Sequence, residues 1–295
     1  MKRFGIIAHT KKPNVARTAK VIIEWLKSHD LEYCLCDELA EVIDEKYHVK
    51  PLSEIWQNID CALSLGGDGT MLSSIRAVGH QGVPVFGINV GRLGFLTEIL
   101  AQDIPMALER LKNDDYDIEE RTVLQLYIAD CDVNKHYALN DVVLDHGEST
   151  HLIKLDLYCK DHSGNNQFVC SYNSDGLIIS TPTGSTAYNL SAGGPVIHPH
   201  LGAIIANPIC PHSLALRPII FSDDSELIIK IAYNNIDARL TIDGQIKCQF
   251  SVESEIVIKK APHKVKLIRI KGFSFFEVLR TKLHWGARPL TSDNA

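Results

Sequence analysis

The chain lacks the features that mark several classes of protein. Its eight cysteines include no CxxC pair, and no unbroken apolar stretch in its 295 residues approaches the ~20 residues of a membrane-spanning helix. Acidic residues outnumber basic ones: the chain has 30 Lys and Arg residues and 36 Asp and Glu residues, which gives a net charge of −6. A disulfide framework, a helical membrane protein and a nucleic-acid-binding protein with a broad basic surface are therefore disfavoured.

The start of the chain and its cysteines indicate a compartment. Met1 to His9 is too short and too polar at its start for a secretory signal. Most cysteines lie in apolar runs such as Cys61-Ala62-Leu63, so we interpret them as small buried residues in a reducing environment. His198, His200 and His212 have no carboxylate or cysteine at a recognisable ligand spacing, so no protein metal site is predicted there. We expect a cytoplasmic protein with neither a membrane nor nucleic acid as partner.

The hydrophobic pattern indicates two domains, as does a length of 295 residues against a usual domain of about 150. The first third alternates apolar strands with helices, which is typical of βαβ units around a parallel sheet. After an acidic, turn-prone stretch at 113–120, short strands follow with little helix between them, and these suit packed antiparallel sheets. A helix over Phe275–Lys282 then predicts that the end of the chain returns to the first domain.

Individual elements of this pattern can be predicted. In the first third, the strands are Phe4–Ala8, Tyr33–Cys36, Cys61–Leu65 and Pro84–Asn89, and the helices are Val15–Lys27, Thr70–Val78 and Pro105–Lys112. The strand series of the second part begins at Gln125 and ends with Val265–Ile270. Within it, Asp243-Gly244 predicts a two-residue hairpin turn, because both residue types tolerate positive φ.

The most informative segment is Gly66-Gly67-Asp68-Gly69-Thr70, between an apolar strand and a helix. Glycines let phosphate oxygens approach bare backbone N–H groups, and the helix N-terminus adds partial positive charge. A carboxylate would repel phosphate there, so Asp68 is explained if it takes a proton from an attacking hydroxyl or holds a metal that bridges the phosphates. The alternative is a tight strand-to-helix turn in which Asp68 is the N-cap.

Two further segments carry polar groups that could bind a nucleotide. Between Ser180 and Thr186 there are five hydroxyl side chains, followed by a helix predicted from about Ser185, and together they would form a neutral donor cradle for ribose and phosphates. Capping and turn formation are the alternative explanation. Asn140 and Asp141 interrupt an apolar strand. Because they are adjacent in that strand, their side chains point to opposite faces. A hydrogen-bonded turn or a strand-edge pair is the alternative for these residues.

These segments together resemble the NAD kinases of bacterial type. The resemblance covers nearly the whole chain and includes Asn89–Leu96 and Phe275–Arg280. The glycine-aspartate turn alone is shared with phosphofructokinases and with diacylglycerol or sphingosine kinases. Thr181–Tyr188 is much more specific to NAD kinases.

The resemblance implies an α/β nucleotide-binding domain over 1–118, completed by 271–295, and a β-sandwich NAD-binding domain over 119–270. It implies a site in the cleft between them, ATP or polyphosphate as donor, a divalent metal (Mg or Mn), and a homodimer or homotetramer. Asp68 would accept the proton of the 2′-hydroxyl on the adenosine ribose of NAD. The other implied binding positions are Gly66, Gly67, Gly69, Thr70, Asn140, Asp141, His151, Asn173, Asp175, Thr186, Ala187, Tyr188, Asn189, Leu190, Ser191 and Gln245.

Two other functions are compatible with parts of this pattern. A lipid or sugar kinase could share the glycine-aspartate turn, but it would need a long apolar slot or a basic sugar-phosphate pocket. A dinucleotide-sensing protein without turnover would keep Asp175 and the hydroxyl loop but would have no need of Asp68. The expected function is therefore transfer of phosphate from ATP to the 2′-hydroxyl of NAD, giving NADP.

Overall fold

The computed structural model describes residues 1–46, 48–91, 94–128, 135–148, 151–161, 163–231, 238–248, 250, 254–272 and 274–286. The chain forms two compact units, one of Met1–Glu119 with Val265–Ala295 and one of Glu120–Lys264. The helices are α1 (Val15–Ser28), α2 (Asp37–Ile43), α3 (Asp68–Val78), α4 (Ile104–Lys112), α5 (Tyr188–Ser191) and α6 (Phe275–Leu283).

The first unit is built on an eight-stranded sheet. Its strands are β1 (Arg3–Ala8), β2 (Glu32–Cys36), β3 (Val49–Lys50), β4 (Cys61–Gly66), β5 (Val85–Asn89), β6 (Ile99–Leu100), β7 (Tyr116–Arg121) and, from the end of the chain, β20 (Val265–Ile270). The strand order is β3-β2-β1-β4-β5-β20-β7, with β6 on β5, and the pairs from β3 to β20 are parallel. This α/β architecture confirms the fold class predicted for the first part of the chain.

Burial explains why these segments form these elements. Every residue of β4 and β5 is buried, which is the pattern of a central parallel strand covered on both faces. Helix α1 buries Val15, Ala19 and Ile22 on one face, together with neighbours at helical spacing. Because the strands run parallel, β1, β4 and β5 all end at the same edge of the sheet, and α3 begins directly after β4 at that edge.

Two expectations about this unit are wrong. The acidic stretch 113–120 is not only a turn, because Tyr116–Arg121 is strand β7 at the end of the large sheet. Glu119 there is neutralised by Arg269, whose Nε lies 2.7 Å from Glu119 Oε2. Val265–Ile270 is not the last strand of the second sheet series, because Leu267 pairs in parallel register with Val85 of β5.

The second unit contains two six-stranded sheets, and the strand pairs within its described residues are antiparallel. The strands are β8 (Leu124–Ile128), β9 (Lys135–Ala138), β10 (Asp141–Asp145), β11 (Ile153–Lys160), β12 (Asn166–Ser174), β13 (Gly176–Ser180), β14 (Ala203–Ile209), β15 (Ile219–Ser222), β16 (Leu227–Ile231), β17 (Arg239–Ile242), β18 (Ile246–Cys248) and β19 (Ile256–Lys260). The sheet orders are β15-β14-β13-β10-β17-β18 and β12-β11-β16-β19-β8-β9.

The core of the second unit is built from alternate residues of both sheets. Val142 and Leu144 of β10 lie in one buried cluster with Leu155 of β11 and Ile229 of β16. Because side chains alternate along a strand, Asp141, Val143 and Asp145 project from the other face of β10. The sandwich-like, all-β character predicted for this part of the chain is confirmed. The face of the β10 sheet that carries Asp141, Val143 and Asp145 does not contribute to the core between the two sheets.

Two local predictions in the second unit need correction. The loop at Asp243-Gly244 has three residues, because Ile242 pairs with Ile246 and leaves Gln245 in the turn; both Asp243 and Gly244 have positive φ, as expected. The helix expected from Ser185 is only a 3₁₀ turn over Gly184–Thr186 followed by the four-residue α5. Ala187, with ψ −131°, breaks the helical run between them.

The described cysteines are all free thiols, but fewer of them are buried than expected. Cys34, Cys36 and Cys61 are buried, Cys159, Cys170 and Cys248 are half-buried, and Cys210 is exposed. Cys131 lies outside the described residues. None of the described helices is long and apolar enough to cross a membrane.

Candidate active site

Asp68 is the first residue of α3, at the carboxyl edge of the parallel sheet, and is half-buried. Each of its carboxylate oxygens accepts one backbone hydrogen bond, Oδ2 from Phe95 N (2.8 Å) and Oδ1 from Leu96 N (3.0 Å). The N-cap of α3 is Gly67, so the interpretation of Asp68 as an N-cap is wrong. The two amides instead fix the plane of the carboxylate, and each oxygen keeps a further lone pair for another donor.

The segment that supplies these amides, residues 94–98, is itself tightly held. Gly94 N and Asn89 Nδ2 both donate to Thr97 Oγ1, at 2.9 and 3.1 Å. A Cβ on Gly94 would lie 1.9 Å from Asp68 Oδ1, so only glycine allows the carboxylate this close to the segment. Lys282 of α6 lies over the Phe95 ring at 6.0 Å. Arg92 and Leu93, which belong to the Asn89–Leu96 motif, lie outside the described residues.

The glycine turn that precedes Asp68 presents bare backbone. Gly66 must lack a side chain, because a Cβ there would lie 2.0 Å from Thr70 Oγ1. Thr70 is buried, and its hydroxyl has no hydrogen-bond partner within the part of the chain that the structure describes. Lys12 reaches this turn from the segment after β1, and its Nζ would lie 2.8 Å from a Cβ on Gly67. The turn therefore combines a helix N-terminus, a buried hydroxyl and an ammonium group.

A groove of about 410 Å³ lies on the face of the β10 sheet that is turned away from the main core of the second unit. It is lined by Asn140, Asp141, Val143, Asp145, Ala187, Tyr188, Arg239, Thr241, Asp243 and Gly244. Four of the predicted binding residues (Asn140, Asp141, Ala187 and Tyr188) thus come together on this face. Arg239 and Asp145 form an ion pair across it, with Nη2 3.2 Å from Oδ2.

The hairpin turn holds the Asn140-Asp141 segment in place. Asp243 accepts backbone hydrogen bonds from Leu139 (3.2 Å), Asn140 (2.7 Å) and Asp141 (3.2 Å). Burial, and after it the neighbouring charge of Asp243, raises the pKa of Asp141 to about 7. A carboxyl with this pKa is partly protonated at neutral pH, so it can donate as well as accept a hydrogen bond.

Tyr188 stands over the same face and is exposed. Partial burial raises the pKa of its phenol, and the charges of Asp145, Cys210, Asp175 and Asp141 raise it further. The hydroxyl group therefore stays protonated and can donate a hydrogen bond near these carboxylates. A flat ring beside a groove is also a surface on which an aromatic base can stack.

The hydroxyl side chains between Ser180 and Thr186 form hydrogen bonds within the second unit. Thr181 Oγ1 donates to Leu139 O and accepts from Gly184 N, and Thr183 Oγ1 accepts from Arg121 Nη1 at 3.1 Å. Ser180 Oγ donates to Asn140 O at 3.2 Å. These bonds tie the loop to the Asn140 segment and to Arg121, as the turn and capping alternative expects, and the donor cradle stays a prediction.

Ser185, Thr186 and Asn189 continue this internal network. Ser185 Oγ donates to Pro182 O and accepts from Ile197 N, and Thr186 Oγ1 donates to Thr183 O. The Asn189 amide is fully buried and donates to Ser185 O and Pro195 O. The Asn189 side chain therefore supports the loop and does not face the groove.

The remaining predicted residues lie elsewhere in the second unit. Asp175 follows β12 at the far end of β10, because Asp145 pairs with Gly176 while Asp141 pairs with Ser180. Its Oδ1 is 3.9 Å from His146 Nε2. Asn173, His151, Ser191 and Gln245 are exposed, and Leu190 is half-buried.

Sequence reasoning missed several residues of the site. Lys12 and Arg239 carry no local motif, and the sequence marks Asp243 only as a turn residue. The Phe95 and Leu96 amides have no side-chain signature, because any residue supplies a backbone N–H. Only the folded chain brings these groups to Asp68 and Asp141.

The chain belongs to the ATP-NAD kinase family. The family model "ATP-NAD kinase N-terminal domain" matches residues 4–116, and the model "ATP-NAD kinase C-terminal domain" matches residues 139–270. This result confirms the resemblance seen in the sequence.

Individual relatives agree with the family models. The NAD kinase of Geotalea daltonii is 39% identical over 290 residues, which cover 98% of this chain and 100% of that protein. The structure of yeast NADH kinase complexed with NADH matches with a TM-score of 0.88 and 27% identity, over 99% of this chain and 90% of that one. An NAD kinase from Archaeoglobus fulgidus in complex with ATP matches with a TM-score of 0.75 and 26% identity, over 96% of this chain and 98% of that one.

Proposed function

We propose that this chain transfers the γ-phosphoryl group of ATP to the 2′-hydroxyl on the adenosine ribose of NAD and so produces NADP. Membership of the ATP-NAD kinase family supports this function. The complexes of related structures with NADH and with ATP support the two substrates. The observation that carries the proposal is Asp68, a carboxylate oriented by two backbone amides at the end of a glycine turn.

In this proposal the glycine turn binds the ATP phosphates. The bare backbone around Gly67, the N-terminus of α3 and the Thr70 hydroxyl supply neutral donors, and Lys12 supplies a positive charge. Asp68 takes the proton of the acceptor hydroxyl. Phosphoryl transfer proceeds through a loose transition state, so that proton can leave late, and position matters more than basicity.

A divalent metal is part of the proposed reaction, because it would supply positive charge to the phosphates of ATP. The described residues contain no group of three His, Cys, Asp or Glu side chains that could hold a metal ion alone. Mg²⁺ commonly keeps several waters and is held by one or two carboxylates together with substrate phosphates. The free lone pairs of Asp68 fit that requirement, so Asp68 is the residue that would contact a metal bound to ATP.

The groove on the β10 sheet is the proposed NAD site. Asn140 offers directional amide groups, Asp141 offers a carboxyl that can carry a proton, and Tyr188 offers a ring and a hydroxyl. Asp175 with His151, Asn173 and Gln245 would contact more distant parts of the dinucleotide. We further propose that the protein acts in the cytoplasm and that it forms a homodimer or homotetramer. Light scattering on the purified protein would measure the oligomeric state.

The direct test is incubation of the purified protein with ATP, Mg²⁺ and NAD, followed by an NADP-specific dehydrogenase assay. We expect NADP to form and to require all three components. Parallel reactions replace NAD with NADH, with fructose 6-phosphate or with diacylglycerol vesicles, and replace ATP with polyphosphate. Phosphorylation of the sugar or the lipid without formation of NADP would refute the proposal, and binding of NAD without any product would favour a sensor.

A further inference from the structure

A buried ion pair in the first unit has no part in the chemistry described so far. Arg269 of β20 and Glu98 have side chains that are 5% and 3% exposed, and Arg269 Nη1 lies 2.8 Å from Glu98 Oε2. The other Glu98 oxygen accepts from Ile270 N at 2.9 Å, and Arg269 Nε donates to Glu119 at 2.7 Å. Burying such a pair costs desolvation energy, and an apolar pair of similar volume is often at least as stable. Stability alone is therefore a weak explanation for it.

The pair is connected to Asp68 through one short peptide segment. Arg269 Nη1 also donates to Leu96 O at 3.4 Å, and the N–H of the same Leu96 donates to Asp68 Oδ1 at 3.0 Å. Glu98, two residues further along, donates its own N–H to Gly87 O at 2.9 Å. Residues 95–98 are thus bonded to Asp68 on one side and to β20 and β5 on the other.

We propose that Glu98 and Arg269 are positioning residues that hold the Phe95 and Leu96 amides against Asp68 and so orient its carboxylate toward the acceptor hydroxyl. This inference rests on the proposed function. Orientation is effective only when the reacting atoms are aligned, and a displacement of about 1 Å can cost on the order of 10²-fold in rate. If the pair is broken, the segment shifts and the carboxylate rotates away from the hydroxyl, although both substrates still bind.

The first readout separates binding from turnover. Glu98→Gln keeps the shape and the acceptor for Ile270 N but removes the charge that binds Arg269. We expect kcat to fall by about 10-fold or more, within the range for a displaced reacting group. The KM values for NAD and ATP should change by less than about 3-fold, because uniform binding is retained. Asp60→Asn is the matched control, since it removes a charge paired with Arg3 at the opposite edge of the same sheet; its kcat should stay unchanged.

The decisive readout is a double-mutant cycle with Asp68→Asn. If Glu98 acts through Asp68, Glu98→Gln should cause no further loss of kcat once the carboxylate is gone. Arg269→Lys is measured in a second cycle with Asp68→Asn, so that the test remains if Glu98→Gln folds poorly. Independent losses that multiply in the double variants, or an unchanged kcat in both single variants, would overturn the positioning role. Failure of the wild-type protein to form NADP would instead refute the proposed function.

Discussion

Asp68 and Asp141 lie in different environments, and these environments suit the different roles proposed for them. Asp68 is half-exposed and accepts two backbone amides, which suits an ionised carboxylate that must receive a proton. Asp141 is buried near Asp243, and its pKa of about 7 suits a carboxyl that holds a proton and recognises a ligand. The sequence alone shows two aspartates next to polar neighbours and does not distinguish these environments.

Asp68→Asn tests the first role. The amide is nearly isosteric with the carboxylate, so packing should survive, but the side chain can no longer take a proton. We expect turnover to fall by at least about 10², the low end for loss of a general base. Steady-state assays of NADP formation and a thermal melt check this result together. Near-normal turnover in a well-folded variant would contradict the role of Asp68.

Asp141→Asn tests the effect of burial. Because the folded-state pKa of Asp141 is raised from 3.8 to about 7, the native protein binds its proton more tightly than the unfolded chain does. Native stability at this site therefore falls as pH rises from about 4 to about 7. The variant lacks this titration, so its stability relative to wild type should increase by about 1–3 kcal/mol between pH 5 and pH 8. Denaturant melts at both pH values measure the difference, and a pH-independent difference would contradict it.

The main elements of the fold were predictable where local pattern decides them. Apolar runs such as Cys61–Leu65 formed strands because they are buried on both faces, and helix α1 followed the spacing of its apolar residues. Strand β7 was missed because its residue Glu119 is neutralised by Arg269, which lies 150 residues away in the sequence. The helix after Ser185 was overestimated because the backbone of Ala187 leaves the helical conformation and separates the 3₁₀ turn from α5.

The residues of the candidate site could be predicted from the sequence where they carry a local signal. The glycine turn, Asp68 and the Asn140-Asp141 pair stand out because their polar and glycine residues interrupt apolar strands. Lys12, Asp243 and the Phe95 amide could not be found in this way, since each is defined by what it touches. The binding roles of Asp175, His151, Asn173 and Gln245 stay predictions.

The segment after β1 carries a prediction at the scale of elements. It brings the Lys12 ammonium to the β4–α3 turn, where an anionic donor would be bound. Lys12→Ala should raise the KM for ATP by about 5- to 50-fold, equivalent to about 1–2 kcal/mol for one charge-assisted hydrogen bond, and leave the KM for NAD nearly unchanged. Lys11→Ala, one residue earlier, is the matched control. Equal effects of the two variants would indicate only a general charge effect.

At the scale of the whole molecule, the two units should contribute separable parts of substrate binding. Asn140 lines the groove of the second unit, and Asp175 lies at the far end of the same strand pair. Asn140→Ala and Asp175→Ala should therefore raise the KM for NAD more than the KM for ATP. Lys12→Ala in the first unit should show the opposite pattern. The reverse assignment, measured by varying each substrate in turn, would mean that the donor and acceptor sites have been exchanged.

The central claim is that Asp68 takes the proton from one particular hydroxyl, and an altered acceptor tests it most directly. NAD that lacks the adenosine 2′-hydroxyl keeps every other group, so it should bind in the NAD site and inhibit competitively with respect to NAD. Proximity is effective only for a correctly aligned atom, so the neighbouring 3′-hydroxyl should receive no phosphate. Mass spectrometry of the analogue after incubation with the enzyme, ATP and Mg²⁺ gives the answer. We predict no phosphorylated product; phosphorylation at the 3′-hydroxyl at a rate comparable with that of NAD would contradict the account.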